Sequence, residues 1–228
     1  KAIEYFIDLD YSVVRIGDKY SDKFDFVNNK FIDLTKNKSL SHYNQAYTMQ
    51  NSEFFFGNVT PGVYMSRLFG KKFALTNCPQ EDLIYNGFSN NYGNYAIFKD
   101  IFNVEQKRII SISELLKNNE LLFMRRFDKK KFFLIDNTPG EILDLCKNFV
   151  KSNFQNIQEK NELLNEFNLL RKKTLDIYLS KKDNNNYLLL KQNYYSKISL
   201  PKKYLEERLY PNDVLIEKSK QIVKKLGI

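Results

Sequence analysis

The sequence predicts an α/β protein in which a parallel β-sheet is flanked by helices and followed by a long helical extension. Short β-branched and aromatic runs alternate with segments of helical periodicity as far as Asp136. Strands that alternate with helices in this way belong to parallel sheets covered on both faces. From Thr138 to about Ser180 the pattern is helical, and we place a domain boundary after residue 145, between a domain at 1–145 and a helical extension at 146–228 that packs on it.

The composition excludes a disordered chain and favours an acidic partner. Hydrophobic residues make up 43% of the 228 residues, which is enough for a core. The formal net charge of +9 favours nucleic acid, an anionic membrane surface or a phosphorylated small molecule, without choosing among them. The sequence has no run of about 20 apolar residues, no visible secretory signal and only two distant cysteines. One disulfide between the two cysteines is the alternative, and we expect a reduced, cytoplasmic protein.

The first third of the chain alternates between helical and extended segments. Helices are expected at 1–9, 41–51 and 62–70, and strands at 11–17, 29–35, 53–57 and 72–77. Ser39 or Ser41 is expected to open the second helix as its N-cap. Gly70 suits the position that follows the third helix, because glycine adopts the left-handed conformation there at little cost.

The rest of the chain begins with residues 78–108, which are rich in Asn, Gly and Tyr and are expected to form a long irregular loop. Ser111 or Ser113 is expected to start a short helix, and residues 130–136 to form a last strand. Thr138, Pro139 and Glu141 have the spacing of a capping box with proline at the first helical position. The Lys-rich tail, 181–228, breaks at Pro201 and contains a further short helix.

A small-residue loop separates the third strand from the third helix. Backbone N–H groups at a helix start are unpaired, and the helix dipole adds partial positive charge, so such a loop can hold an anion. Gly57 and Gly62 would let a ligand approach the backbone, and Thr60 could cap the helix or donate its hydroxyl to a phosphate. The alternative is an ordinary βα connection with a threonine cap.

Two further strands end in polar residues. Ligands of parallel α/β sheets bind beyond the carboxyl ends of the strands, so Arg15 and Asn77 are expected to share one crevice with the loop after the third strand. Arg15 would contact a diphosphate, and Asn77 would hold ribose or sugar hydroxyls. The alternatives are a surface arginine at a strand end and a turn asparagine.

Other candidates have a structural interpretation. His42 lies near a helix start and is interpreted as a surface or capping residue. Asp8 and Asp10 have the spacing of a metal motif, but they precede the first strand, on the wrong edge of the sheet, and are interpreted as structural. Basic clusters at 129–131, 171–173 and 181–182, with many Tyr and Phe, keep a nucleic-acid-binding module open as an alternative function.

Several segments, taken in order, resemble bacterial glycosyltransferases. The segment GNVTPGVYMSRLFGKK is similar to the donor-site motif of GT-B glycosyltransferases of the heptosyltransferase type. A family of bacterial glycosyltransferases related in architecture to fucosyltransferase-like enzymes is more similar, through IEYFIDLDYSVVRIGDK, EFFFGNVTPGVYMSRLFGKKFALTNCP and AIFKDIF. The resemblance covers roughly residues 1–150. Val59 and Tyr64 depart from the heptosyltransferase pattern, which has Asp and His there, and Pro61-Gly62 inverts its Gly-Pro.

The resemblance implies a fold and a reaction. The fold is a Rossmann-like nucleotide-sugar-binding domain, the C-terminal half of a GT-B fold. The reaction is transfer of a sugar from a nucleoside-diphosphate sugar to a glycan or lipid-linked acceptor, in bacterial polysaccharide biosynthesis, with no metal or other cofactor. The donor-binding residues would be Arg15, Gly57, Thr60, Gly62, Asn77 and Lys99.

The resemblance also bears on partners. The catalytic base would come from the N-terminal half of the same protein, which we expect to be missing because the chain starts at Lys1 with a helix; no catalytic residue is assigned. The basic tail would allow peripheral association with the inner face of the membrane. A noncatalytic transferase-like scaffold stays open as a further alternative.

Overall fold

The computed structural model describes residues 1–18, 20–22, 24–36, 41–80, 94–122, 130–155, 161–180 and 199–227. The elements as far as the fourth strand are α1 (Ala2–Asp8), β1 (Val13–Arg15), β2 (Phe31–Asp33), α2 (His42–Asn51), β3 (Phe54–Asn58), α3 (Pro61–Leu68) and β4 (Lys72–Cys78). These elements confirm the sequence prediction in type and order. The following elements are β5 (Tyr95–Phe98), β6 (Asp100–Asn103), β7 (Arg108–Ile110), α4 (Ile112–Lys117), α5 (Asn119–Leu122) and β8 (Phe132–Ile135). The C-terminal helices are α6 (Pro139–Phe154), α7 (Glu162–Ser180), α8 (Lys202–Arg208) and α9 (Asp213–Leu226).

The described strands form three sheets. Strands β1 and β2 make a parallel pair, and β3, β4 and β5 make a parallel sheet in that order. In the third sheet β6 lies between β7 and β8 and is antiparallel to both. The protein is therefore α/β with parallel sheets flanked by helices. The expectation of one parallel sheet is wrong, because β1 and β2 form a pair of their own and the last three strands, β6, β7 and β8, pair antiparallel. Their side chains alternate with the same period of two in either direction, so the sequence pattern could not distinguish the pairing.

The expected loop at 78–108 is wrong for its described part, because β5, β6 and the start of β7 lie there. Only Lys99 separates β5 from β6, and the chain passes at this point from the parallel sheet to the antiparallel one. Asp100 and Asn103 are buried polar residues at the two ends of β6. Because they leave only two apolar residues between them, the sequence of β6 does not show the apolar run that is typical of a buried strand. Residues 81–93, most of the expected loop, lie outside the described part of the chain.

Helices cover both faces of β3. On one face, Phe54 packs against Phe6 of α1 and Phe149 of α6, with ring centroids 5.2 Å apart in both pairs. On the other face, Phe55 approaches Gly62 at the start of α3. Successive side chains of a strand point to opposite faces, so these contacts place α1 and α6 on one side of the sheet and α3 on the other.

The helix ends follow the predicted local chemistry. Ser41, Ser111 and Thr138 accept hydrogen bonds from the backbone of the helices that they cap, and the last two complete capping boxes. Gly70 has φ of 65°, as expected for the residue after α3. Ser39, the alternative cap of α2, lies outside the described residues.

Of the helices after residue 138, α6 docks on the parallel sheet and α9 packs against β7, whereas α7 packs on the helices α4 and α8. Leu145, Cys146, Phe149 and Val150 of α6 are buried in the main core. Leu215 of α9 belongs instead to a smaller core with Phe102 of β6. The boundary drawn after residue 145 falls inside α6, and the division into two domains stays a prediction. None of the described helices has the length and apolar character needed to cross a membrane.

Candidate functional site

The junction between β5 and β6 is held by side chains from distant parts of the chain. The Tyr204 hydroxyl of α8 donates to the Phe98 carbonyl at 2.9 Å and accepts from the Phe98 N–H at 3.0 Å. Asn137, which precedes α6, donates its side-chain amide to the same carbonyl at 2.7 Å. The backbone N–H of Lys99 donates to the Cys78 carbonyl at the end of β4. The carboxyl end of β5 is therefore fixed by β4, by the loop before α6 and by a C-terminal helix.

A buried ion cluster lies directly beyond this junction. The Asp100 carboxylate forms ion pairs with two cations: Arg208 Nε lies 2.9 Å from one of its oxygens, and Lys218 Nζ lies 2.5 Å from the other. Glu141, in the first turn of α6, is paired with the same two cations, at 3.0 Å from Lys218 Nζ. Arg208 also pairs with Glu207 and lies 4.6 Å from the centre of the Tyr204 ring. The Arg208 side chain is only 2% exposed, so this is an interior network and not a surface ion pair.

Neighbouring charges shift the pKa values of Glu141 and Arg208 towards their ionised forms. Burial acts to raise the pKa of Glu141, but the charges of Arg208 and Lys218 hold it below the ordinary value. Burial alone would lower the pKa of Arg208, and the Asp100 charge and other acidic neighbours raise it instead. Burial raises the pKa of the Tyr204 hydroxyl, which stays protonated at neutral pH. Each carboxylate of the cluster is paired with a cation of the same cluster. We therefore interpret the cluster as structural, holding α8 and α9 to β6 and α6.

Sequence reasoning missed this cluster and gave its members other roles. Glu141 was interpreted only as a capping-box residue, and Lys218 only as part of a membrane-facing basic tail. One signal was present in α8, where Tyr204, Leu205, Arg208 and Leu209 have the spacing of a buried helical stripe. An arginine in an apolar stripe needs a buried carboxylate as its partner. The sequence does not reveal which carboxylate this is, because Asp100 lies 108 positions earlier in the chain.

Asn77 has a structural task at the end of β4. Its backbone N–H donates to the Asn137 side-chain oxygen at 2.6 Å, and its own side-chain oxygen accepts from the Asn137 N–H at 2.6 Å. It adopts φ of 52°, in the left-handed region that favours Gly and Asn. The reciprocal bridge joins the carboxyl end of β4 to the start of α6. Because these contacts use its backbone N–H and side-chain oxygen, the side-chain NH₂ group is the donor that Asn77 would offer to a ligand.

Replacement of Asn77 tests this backbone role. We expect Asn77→Ala to lower the free energy of unfolding by about 1–2 kcal/mol more than Asn77→Gly, because both lose the side-chain hydrogen bond but only alanine is strained at this φ. Urea denaturation of the two variants measures the difference. Equal losses would mean that the left-handed conformation carries no cost at this position.

Arg15 lies at the carboxyl end of β1, but its guanidinium is engaged. It pairs with Asp33 of β2 at 3.0 Å and donates to the backbone carbonyl of Asp22 at 2.7 Å, beside the ring of Phe24. Since β1 and β2 form a separate sheet, strand pairing alone does not bring Arg15 to the edge where β3, β4 and β5 end. Its part in donor binding stays a prediction.

Lys99 follows β5 and therefore lies on the same edge as the residues after β3 and β4. Its ammonium group pairs with Asp136 at 2.6 Å, and its side chain is 29% exposed. Its carbonyl accepts a hydrogen bond from the side-chain NH₂ of Gln80. Gln80 itself is fully buried, and its side-chain oxygen has no hydrogen-bond partner among the residues that the structure describes.

The loop after β3 differs from the expected ligand cradle in one respect. A side chain added at Gly57 or Gly62 would meet the ring of Phe55, at 3.0 Å and 3.1 Å respectively. Both positions therefore need glycine for the packing of the Phe55 ring, with or without a ligand. Thr60 is exposed at the N-cap of α3, and its side chain makes no capping hydrogen bond. Next to it, the Thr76 hydroxyl donates to Asn58 at 2.7 Å and ties β4 to β3.

The structure thus brings together the loop at Gly57–Gly62, Asn77 and Lys99 along one edge, because the parallel strands β3, β4 and β5 all end there. Of the two aspartates in the metal-like spacing, Asp10 pairs with Lys30. No cluster of three His, Cys, Asp or Glu side chains suited to a metal occurs among the described residues. Comparison of the chain with protein-family models, curated proteins and solved structures gave no match.

Proposed function

We propose that this chain is the donor-binding part of a glycosyltransferase, corresponding to the C-terminal half of a GT-B fold. It would transfer a sugar from a nucleoside-diphosphate sugar to a glycan or lipid-linked acceptor without a metal ion. The donor would lie across the carboxyl ends of β3, β4 and β5, where ligands of open α/β sheets bind. The loop at Gly57–Gly62, Asn77 and Lys99 would be its contacts on this edge.

One observation carries the proposal: the N-terminus of α3 is open towards this edge. Thr60 makes no capping hydrogen bond and no acidic residue occupies the first turn of α3. By contrast, α4 and α6 begin with complete capping boxes and a glutamate in the first turn. A helix start without its own anion and with an exposed hydroxyl suits a diphosphate.

The chemistry requires stabilisation of a departing diphosphate. The acceptor oxygen forms a bond to the anomeric carbon, and the bond from that carbon to the diphosphate oxygen breaks, leaving its electron pair on the diphosphate. The first-turn amides and dipole of α3 would stabilise this charge. Lys99 would add its charge by exchanging Asp136 for a phosphate. The proton of the acceptor hydroxyl needs a general base, which the proposal assigns to the other half of a GT-B enzyme.

Thr60→Ala tests the donor site against a matched helix cap. We expect it to weaken binding of a nucleoside diphosphate by about 0.5–2 kcal/mol, with an unchanged melting temperature, because the hydroxyl caps nothing. Thr138→Ala should do the reverse, since Thr138 does cap α6. Calorimetric titrations with UDP, GDP and a short oligonucleotide, beside thermal melts, measure both effects. The proposal fails if neither diphosphate binds, and oligonucleotide binding alone would favour the nucleic-acid-binding alternative.

A further inference from the structure

An uncharged surface lies beside the proposed donor site. Between Ser39 and Ser66 the sequence has a single formally charged residue, Glu53, where the chain average of 28% would give about eight. This segment contains α2 and most of α3, and the two helices pack against each other. The surface of these two neighbouring helices is therefore nearly uncharged, unlike the rest of this charged chain.

Aromatic side chains are exposed on both helices. Tyr43 and Tyr47 of α2 are 75% and 59% exposed, and their rings are nearly parallel, at 22°, with centroids 6.5 Å apart. On α3, Tyr64 is 66% exposed and Leu68 is 79% exposed. Gln50, one turn beyond Tyr47, adds an exposed amide to the same face of α2. We name these five residues the aromatic surface.

The chemistry of the aromatic surface selects one class of partner. Nucleic acid and anionic membranes are bound by Lys and Arg, and α2 has neither. Tyrosine rings offer a negative face to polarised C–H groups, and hydroxyl and amide groups exchange hydrogen bonds with hydroxyls. A neutral polyol has both features, since one face of a sugar ring carries C–H groups and its rim carries hydroxyls. Arg67, next to Leu68 in the last turn of α3, is the one formal charge on the two helices, so the surface matches a neutral partner better than a charged one.

We propose that the aromatic surface binds the neutral glycan acceptor of the transfer reaction. This inference rests on the proposed function, because only that function makes the bound glycan an acceptor. The placement supports it: Tyr64 lies one turn beyond Thr60 on α3, so the surface begins beside the helix N-terminus that would hold the donor diphosphate. The glycan chain would pack on Tyr43 and Tyr47 while its terminal sugar reaches the donor.

Calorimetric titration with maltoheptaose, cellohexaose and mannohexaose tests the proposal. At least one of these neutral glycans should bind, and Tyr43→Ala/Tyr47→Ala should weaken that binding at least tenfold. Tyr43→Phe/Tyr47→Phe should stay within about threefold, since the ring faces are kept. Tyr20→Ala removes a tyrosine that is 81% exposed elsewhere and should change nothing. Thermal melts establish that all variants are folded.

Three results would overturn the inference. The first is failure of all three glycans to bind, and the second is unchanged glycan binding in the double alanine variant. The third is a dimer in sedimentation that the double alanine variant abolishes, which would make the surface a protein interface. UDP titration of the same samples separates the two proposals. Nucleotide binding without glycan binding removes only the acceptor surface, whereas glycan binding without nucleotide binding removes the donor site and with it the acceptor role.

Discussion

Arg208→Met is expected to lower the free energy of unfolding by about 3–5 kcal/mol, because it leaves two buried carboxylates without their shared partner. Asp100 is 6% exposed, and Glu141 is 15% exposed. Lys218 reaches both but carries one charge against two. Methionine keeps the apolar stem of the side chain, so the loss would report on charge and hydrogen bonding rather than on packing. Urea denaturation at neutral pH measures it.

Two controls accompany Arg208→Met: a double substitution within the cluster and a substitution in an exposed ion pair. Asp100→Asn/Arg208→Met should lose less than the sum of the two single variants, since each removes part of the same network. Lys203→Met breaks the exposed pair with Asp144, in which Lys203 is 67% exposed, and should stay within about 0.5 kcal/mol of the parent protein. A loss of under 1 kcal/mol for Arg208→Met would mean that the cluster does not clamp α8 to the sheet junction.

Gly62→Val is expected to lower the free energy of unfolding by about 3 kcal/mol, at the upper end of the cost of overpacking. An added Cβ at this position would already lie 3.1 Å from the Phe55 ring, and valine adds two more methyl groups. Phe55 is 9% exposed and also lies against Gly57, so its ring has little room to withdraw. In the proposed site the same side chain would obstruct the helix start and weaken diphosphate binding at least tenfold, about 1.4 kcal/mol. Thermal melts and UDP titration measure the two effects.

Phe55→Leu/Gly62→Val separates these two causes. The smaller leucine should make space for valine and recover part of the stability. If stability returns and nucleotide affinity does not, the glycine is needed for approach of the ligand. If both return, Gly62 serves only the packing of Phe55, and its assignment as a donor contact is wrong. Phe55→Leu alone provides the reference for both measurements.

Local chemistry explains why much of the secondary structure could be predicted. Ser41, Ser111 and Thr138 cap their helices through atoms at most three residues away, and that information is present in the sequence. The strands at 54–58 and 72–78 are short apolar runs closed by small or polar residues. The strand β6 was missed because Asp100 and Asn103 interrupt its apolar pattern, and their burial depends on partners elsewhere. The strand β5 was missed because it is short and follows a segment rich in Asn, Gly and Tyr.

The candidate site was predictable only as a set of positions. Parallel pairing of β3, β4 and β5 places the loop at Gly57–Gly62, Asn77 and Lys99 on one edge. The alternation of strands and helices predicted a common edge for the loop and Asn77, whereas Lys99 follows β5, a strand that the sequence did not reveal. The partners of these residues were not predictable. Asn77 bonds with Asn137 and Lys99 pairs with Asp136, contacts across 60 and 37 positions of the chain. Arg15 pairs with Asp33, a partner that was not predictable either, and its role as a phosphate ligand stays a prediction.

The sequence by itself determined most of the helices, most of the strands and their order, because caps, turns and hydrophobic periodicity act over a few residues. It also determined the nearly uncharged segment between Ser39 and Ser66. Only the tertiary structure decided how the strands divide among three sheets and which charges meet in the Asp100–Arg208 cluster. Both depend on contacts between residues far apart in the chain, and a buried charge is tolerated only where the whole fold supplies its partner.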